Sequence, residues 1–230
     1  KKSLDLNTKK QVNGEIVEGT LSCSNNHEWK IEDGVINFES EEQKSMNNWS
    51  ESYKQIDYEE LEKQIKEKTP QIQLDAQEQA KEEIIKLIDR HNAKNILDIA
   101  TGRGMLLKRI VEHFGDEIDL VCVDLSFEVL KYDRMKVNKI NSNAKINYIA
   151  CDATNLPFTN DAFDLSVSFA GIQNMLDEAS KGIKEGVRVS KDKLINVGVV
   201  IKDDNPKIDL LNKLLAENNI DYDVKTATES

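Results

Sequence analysis

An α/β fold is predicted: a doubly wound, mostly parallel sheet with helices on both faces, preceded by a small β-rich module. Three observations point to it. From Asn95 to Ile201 strand-like apolar runs alternate with helix-spaced segments, three of those runs end in an acid, and the first breaks into a glycine turn, Asn95-Ile-Leu-Asp98-Ile-Ala-Thr-Gly102-Arg-Gly104. Alternating strands and helices bury their apolar surfaces best as a parallel sheet covered on both sides.

Residues 1–40 read as short β-rich turns, with bends at Asn13-Gly14, Glu18-Gly19 and Asp33-Gly34, and form a separate small module. Residues 41–92 are charged and lack glycine. Within them Tyr58 to Lys68 and Leu74 to Ile88 carry helix-spaced apolar residues, parted near Pro70, and are expected to cap the ligand side of the core. The core occupies 93–230. Asn95 opens its first strand, and Met105 to Phe114 forms an amphipathic helix behind the glycine turn. Ile118 to Val123 is a strand ending at Asp124, and Ser126 starts a helix from Phe127 to about Lys139. Lys145 to Cys151 alternates and ends in Asp152-Ala153; Phe163 to Phe169 follows as the fourth strand. The last expected helix, Asp209 to Asn218, starts after Pro206.

Composition favours one sizeable core with a small appendage, at 230 residues and 26.1 kDa. A net charge of −11 disfavours nucleic acid as a partner, because phosphate contacts need clustered Lys and Arg. A small-molecule partner is expected instead. The most apolar stretch, Ile195 to Ile201, is broken by Asn196 and is far short of the roughly 20 residues of a membrane span. Three scattered cysteines suggest no disulfide framework, and no secretory signal is evident, so the cytoplasm is the expected location. Cys122 and Cys151 fall in strands with no acid–base partner nearby and read as core packing. His113 sits near a helix C-terminus, where a cation is favourable.

The glycine turn carries the functional signal. Gly102 and Gly104 let backbone N–H groups approach a ligand with no Cβ in the way. A dinucleotide fingerprint needs a third glycine where this chain has Leu107, which weakens an NAD reading. Asp98 at the strand end would repel a pyrophosphate and attract an ammonium group. S-adenosyl-L-methionine presents that group and has no phosphate. An acid at the next strand end, Asp124, can accept both hydroxyls of a ribose.

Four runs together resemble a class I S-adenosylmethionine-dependent methyltransferase of the ubiquinone/menaquinone-biosynthesis kind: L-D-I-A-T-G-R-G at 97–104, V-D-L-S at 123–126, C-D-A-T-N-L-P-F at 151–158 and D-A-F-D-L at 161–165. The resemblance covers about Asn95 to Val189 and implies a Rossmann-like core. It implies that Asp98 and the backbone of Ala100, Thr101, Gly102 and Gly104 hold the methionine part of the cofactor. Asp124 would take the ribose hydroxyls, with Leu125 beside it, and Asp152 with Ala153 the adenine edge. Phe169 and Ala170 would lie beside the methionine moiety and the transferring methyl, and Tyr53 would close over the cofactor.

No catalytic base is identifiable. The asparagine-proline-proline-aromatic signature of adenine amino methylation is absent where Ser168-Phe-Ala-Gly-Ile-Gln stands, and no cysteine is placed for pyrimidine methylation. A small-molecule methyltransferase is therefore the leading expectation. An rRNA base methyltransferase and a non-catalytic cofactor-binding or regulatory protein are the alternatives.

Two departures from the family pattern stand out. The arginine-valine-leucine-lysine-proline-glycine-glycine turn is replaced by Arg188-Val-Ser-Lys191-Asp-Lys, so the entry to the fifth strand must be built differently. The chain also stops at Asp221 to Ser230, where the family begins its sixth strand. A fragment with an open sheet edge is expected from this, and a homodimer is one arrangement it leaves open. Residues 14–36 resemble the second half of a zinc ribbon, but only Cys23 and His27 stand where four ligands are needed, so no metal is expected. Trp29 and Ile31 are then core residues of that module.

Overall fold

The computed structural model describes residues 3–39 and 57–198. Trp49, Tyr53 and the helix expected at 209–218 lie outside the described residues. Four antiparallel strands come first: β1 (Leu4–Val12), β2 (Glu15–Cys23), β3 (Glu28–Glu32) and β4 (Val35–Asn37). Asn13-Gly14 and Asp33-Gly34 make the two tight hairpin turns, all four residues at positive φ, as a two-residue turn between twisted strands requires. Glu18-Gly19, expected as a bend, lies instead inside β2. Gly19 is there because of close approach: a Cβ on it would meet the Asn7 carbonyl oxygen at 2.8 Å, beside a register shift in β1. The bend falls at Ser24-Asn25, closed by the Asn26 N–H donating to the Cys23 carbonyl oxygen at 2.9 Å, with Asn26 at φ 60°.

Two helices follow, α1 (Tyr58–Lys68) and α2 (Gln71–Arg90), then β5 (Asn95–Ile99), α3 (Met105–Phe114), β6 (Asp119–Asp124), α4 (Phe127–Ile140), β7 (Lys145–Ala150), β8 (Phe163–Phe169), α5 (Ala179–Val189) and β9 (Ser190–Val197). Asp57 caps α1 by accepting from the Glu59 and Glu60 N–H groups, and Ser126 caps α4 through the Val129 N–H. The strands form one nine-stranded sheet in the order β1-β2-β3-β4-β7-β6-β5-β8-β9. All neighbours from β4 onward are parallel. The N-terminal strands, set apart as a separate module on sequence, thus continue the core sheet through β4: Val35, Ile36 and Asn37 pair with Tyr148, Ile149 and Ala150. Three residues of strand pairing across more than a hundred positions leave no local pattern to read.

The sheet buries both faces. Ile96, Leu120, Cys122 and Val167 pack under Ile84, Ile85 and Ile88 of α2, Leu107 and Ile110 of α3, and Leu130 of α4. Leu97, Ile99, Val123 and Ile149 point to the other face, where Val189 of α5 and Ile172 lie. Alternation along β5 is what sends Asp98 to the same side as Ile96. The departure at 188–193 also has a structural form. Helix α5 runs into β9 with no connecting residue, and the Ser190 hydroxyl bonds the Ser166 hydroxyl and the Gly186 carbonyl oxygen, both at 2.6 Å.

Because Gly19 has no room for a side chain, Gly19→Val is expected to lower the unfolding free energy by about 1–3 kcal/mol. Urea denaturation checks this. An unchanged midpoint would mean that β1 moves aside freely.

Candidate cofactor site

The chain leaves β5 for β6 and β7 on one side and returns to β8 on the other, which makes the carboxyl ends of β5 and β8 a topological switch point. Open α/β sheets bind ligands at such a crevice. Asp98 stands at that end of β5, only 1% exposed, and its Oδ2 accepts from the Thr101 hydroxyl at 2.6 Å. The turn beyond it hangs from the neighbouring strand. The Thr101 N–H donates to the Val123 carbonyl oxygen at 3.1 Å, and the Gly102 N–H donates to Asp124 Oδ2 at 2.9 Å. The other oxygen of Asp124 accepts from the Ser126 N–H at 2.9 Å. Gly104, at φ 65°, is the N-cap of α3 and makes no side-chain cap, and the helix start that follows, a partial positive charge, borders the crevice at Met105 and Leu106.

These acids are held at an electrostatic cost. Burial pushes the Asp98 carboxyl up to about 7, the Thr101 hydroxyl pulls it back in part, and the Asp124 carboxylate adds to the rise. Burial also raises Asp124, against the pull of the Ser126, Gly102 and Leu125 N–H groups. A cation placed here would relieve both.

The facing wall is built by the end of β8. Ala170 takes φ 57°, and its N–H donates to the Val197 carbonyl oxygen at 2.7 Å. Gly171 packs so closely on Ala100 that a Cβ would overlap the Ala100 carbonyl group. Between the walls lies a cavity of about 270 Å³.

Of the residues named from sequence, Asp98, Ala100, Thr101, Gly102, Phe169 and Ala170 line that cavity. Gly104 is buried behind it. Asp124, Leu125, Asp152 and Ala153 stand on the ends of β6 and β7, outside its wall. Asp152 accepts from the Thr154 N–H and hydroxyl at 2.8 and 2.7 Å, capping a short 3-10 turn at Ala153–Asn155. Tyr53 lies outside the described residues. Sequence reading missed Arg103, Met105, Leu106, Gly171, Gln173 and Asn174, which complete the lining. Position beside the two strand ends was the available signal for all six.

The expected cap is divided. Helix α2 reaches the site, with Lys81 Nζ 6.0 Å from the Phe169 ring centre. Helix α1 instead packs on α4, where Tyr58 stacks on Tyr132 at 4.0 Å between ring centres. Cys122 and Cys151 are buried core residues.

A carboxyl whose pKa is raised by folding stabilises the fold below its unfolded value of 3.8 and loses that contribution as pH rises through the folded value. The ligand-free protein is therefore expected to lose thermal stability between about pH 4 and pH 7. Asp98→Asn should flatten that slope in a pH series of melting curves, and an identical slope in the variant would count against the assignment.

The ubiE/COQ5 methyltransferase family matches residues 50–213. The chain is 34% identical over 114 residues to the ubiquinone/menaquinone biosynthesis C-methyltransferase UbiE of Rickettsia prowazekii, covering 48% of this chain and 45% of that protein. It is 29% identical over 109 residues to the demethylmenaquinone methyltransferase of Porphyromonas gingivalis, covering 47% and 44%. The chain thus spans a little under half the length of these relatives. Among solved structures it is similar to a SAM dependent methyltransferase from Aquifex aeolicus, at TM-score 0.43 and 20% identity, covering 57% of this chain and 76% of that one. A putative sarcosine dimethylglycine methyltransferase from Galdieria sulphuraria gives TM-score 0.48 and 18% identity, covering 61% and 54%. With the matched span running from before α1 to beyond β9, the chain belongs to the ubiE/COQ5 methyltransferase family.

Proposed function

We propose that this chain transfers a methyl group from S-adenosylmethionine to a carbon of a small aromatic acceptor, a quinone precursor. One observation carries the reading: the buried acid Asp98 and the glycine turn share a cavity at the switch point of a sheet whose family transfers methyl groups. The relatives' names supply the acceptor class, since they are called ubiquinone/menaquinone biosynthesis and demethylmenaquinone methyltransferases. The chain's net charge of −11 favours a small acceptor over a polyanion.

The residues fit the cofactor. Asp98 is an acid in want of a positive partner, and the uncapped start of α3 suits a carboxylate, so together they match the two ends of an amino acid. The cavity, at about 270 Å³, suits the methionine part. Asp124 with Leu125, and Asp152 with Ala153, would serve the ribose and adenine along the ends of β6 and β7.

When bound, S-adenosylmethionine supplies a methyl group already activated by its sulfonium. The protein then has to orient an acceptor in line with it and keep water out. Asp98 and the peptides of the turn fix the amino-acid end. Phe169, with Lys81 Nζ 6.0 Å from its ring centre, forms an apolar part of the cavity wall. The strands β1 to β4 extend the sheet on the far side of β7 and have a structural role in this reading. No helix among the described residues is long and apolar enough to cross a membrane.

Labelled methyl transfer onto a panel of demethylated quinols, with an rRNA fragment as a second arm, tests the reading. Incorporation into the quinol ring is expected, with Asp98→Asn weakening cofactor binding at least about tenfold. Transfer only to the rRNA, or tight binding of S-adenosylmethionine with transfer to none of them, would contradict it.

A further inference from the structure

Asp133 lies on the apolar face of α4, in line with Val129, Leu130 and Val137, where the core ordinarily takes a hydrocarbon. It is fully buried, and neither carboxyl oxygen has a hydrogen-bond partner among the described residues. Its carboxyl is pressed against the back of the glycine turn: a Cβ on Gly104 would lie 2.8 Å from Oδ1 and 3.3 Å from Oδ2. That glycine begins α3 without a side-chain cap, so Asp133 also sits at the positive end of the helix.

The charged and titratable neighbours come from every packed element. They are Asp98 on β5, Cys122 and Asp124 on β6, Tyr148 on β7, Glu62 on α1, and Tyr132 and Lys136 on its own helix. Lys136 is the one cation among them, and it is paired with Glu62 at 2.5 Å. Burial first, then the Asp124 carboxylate, push Asp133 well above the usual carboxylate range. A buried carboxyl with no donor to satisfy it costs stability. Among the described residues only Lys136, already paired with Glu62, and the start of α3 pull the other way, and a cation arriving on the other side of the turn would add to them.

We propose that Asp133 is a third acid of the cofactor site, a positioning residue that acts from behind Gly104 and favours the sulfonium-bearing cofactor over its uncharged thioether product. The proposal rests on the S-adenosylmethionine reading. Its chemistry is simple. Both ligands carry an ammonium and a carboxylate, and only the methyl donor carries the extra positive charge that the acids can attract.

Calorimetry at pH 8 with S-adenosylmethionine and S-adenosylhomocysteine, on the wild type, Asp133→Asn and Asp133→Ala, tests it. The asparagine keeps the shape and removes the charge; the alanine serves if the asparagine variant folds poorly. Both variants are expected to lower the preference for the sulfonium ligand about fivefold. A merely structural role would weaken the two ligands alike and leave their ratio unchanged, and that result, or no change in either affinity, overturns the proposal. Failure of the wild type to bind either ligand would instead overturn the cofactor reading itself, so the two failures are distinguishable.

Discussion

Both oxygens of the Asp124 carboxylate are committed to peptide N–H groups, that of Gly102 across the gap from β5 and that of Ser126 within its own turn. This bracket joins two strand ends and fixes the direction in which the glycine turn leaves the sheet. From it follow the placing of Thr101 over Asp98, the aim of the first turn of α3, and the start of α4 at Ser126. The bracket is robust because it is redundant. The ladder between β5 and β6 runs over five residue pairs, and the Thr101 N–H adds a bond to the Val123 carbonyl oxygen. Loss of the carboxylate would leave two peptide donors to find other partners, each at a cost of about 1–3 kcal/mol if buried.

The same arrangement concentrates negative charge. Asp98, Asp124 and Asp133 converge behind and beneath one turn, where Asp124 raises the pKa of both others and Asp98 adds to the rise at Asp133. Both walls store strain as well, since Ala100 at the end of β5 and Ala170 at the end of β8 take positive φ without being glycine. Such features lower the stability of the free protein and are retained where a ligand compensates for them. The site is accordingly a region where stability and binding oppose one another.

Much of this was readable in the chain. The helix Met105–Phe114 has the bounds that its apolar spacing predicts; β6 ends at Asp124 itself, β5 one residue past Asp98 and β7 two residues before Asp152. Periodicity and end signals are local, and local signals suffice for those elements. What failed to show were contacts between distant segments: β4 against β7, Gly19 against Asn7, Gly171 against Ala100. Both glycines sit where another backbone approaches too closely for a Cβ, and sequence alone does not distinguish that use from a turn. Asp133 is a different case. An acid between Leu130 and Val137, on the stripe that the helix buries, was visible as an anomaly in the pattern and needed only to be taken as one.

If a positive cofactor offsets three buried acids, its binding must draw off protons that the acids hold in the free protein. Titration calorimetry of S-adenosylmethionine near pH 7, repeated in buffers of different ionisation enthalpy, counts those protons directly. Release on the order of one proton per ligand is the predicted result. Binding with no proton released, or with protons taken up, would contradict the account.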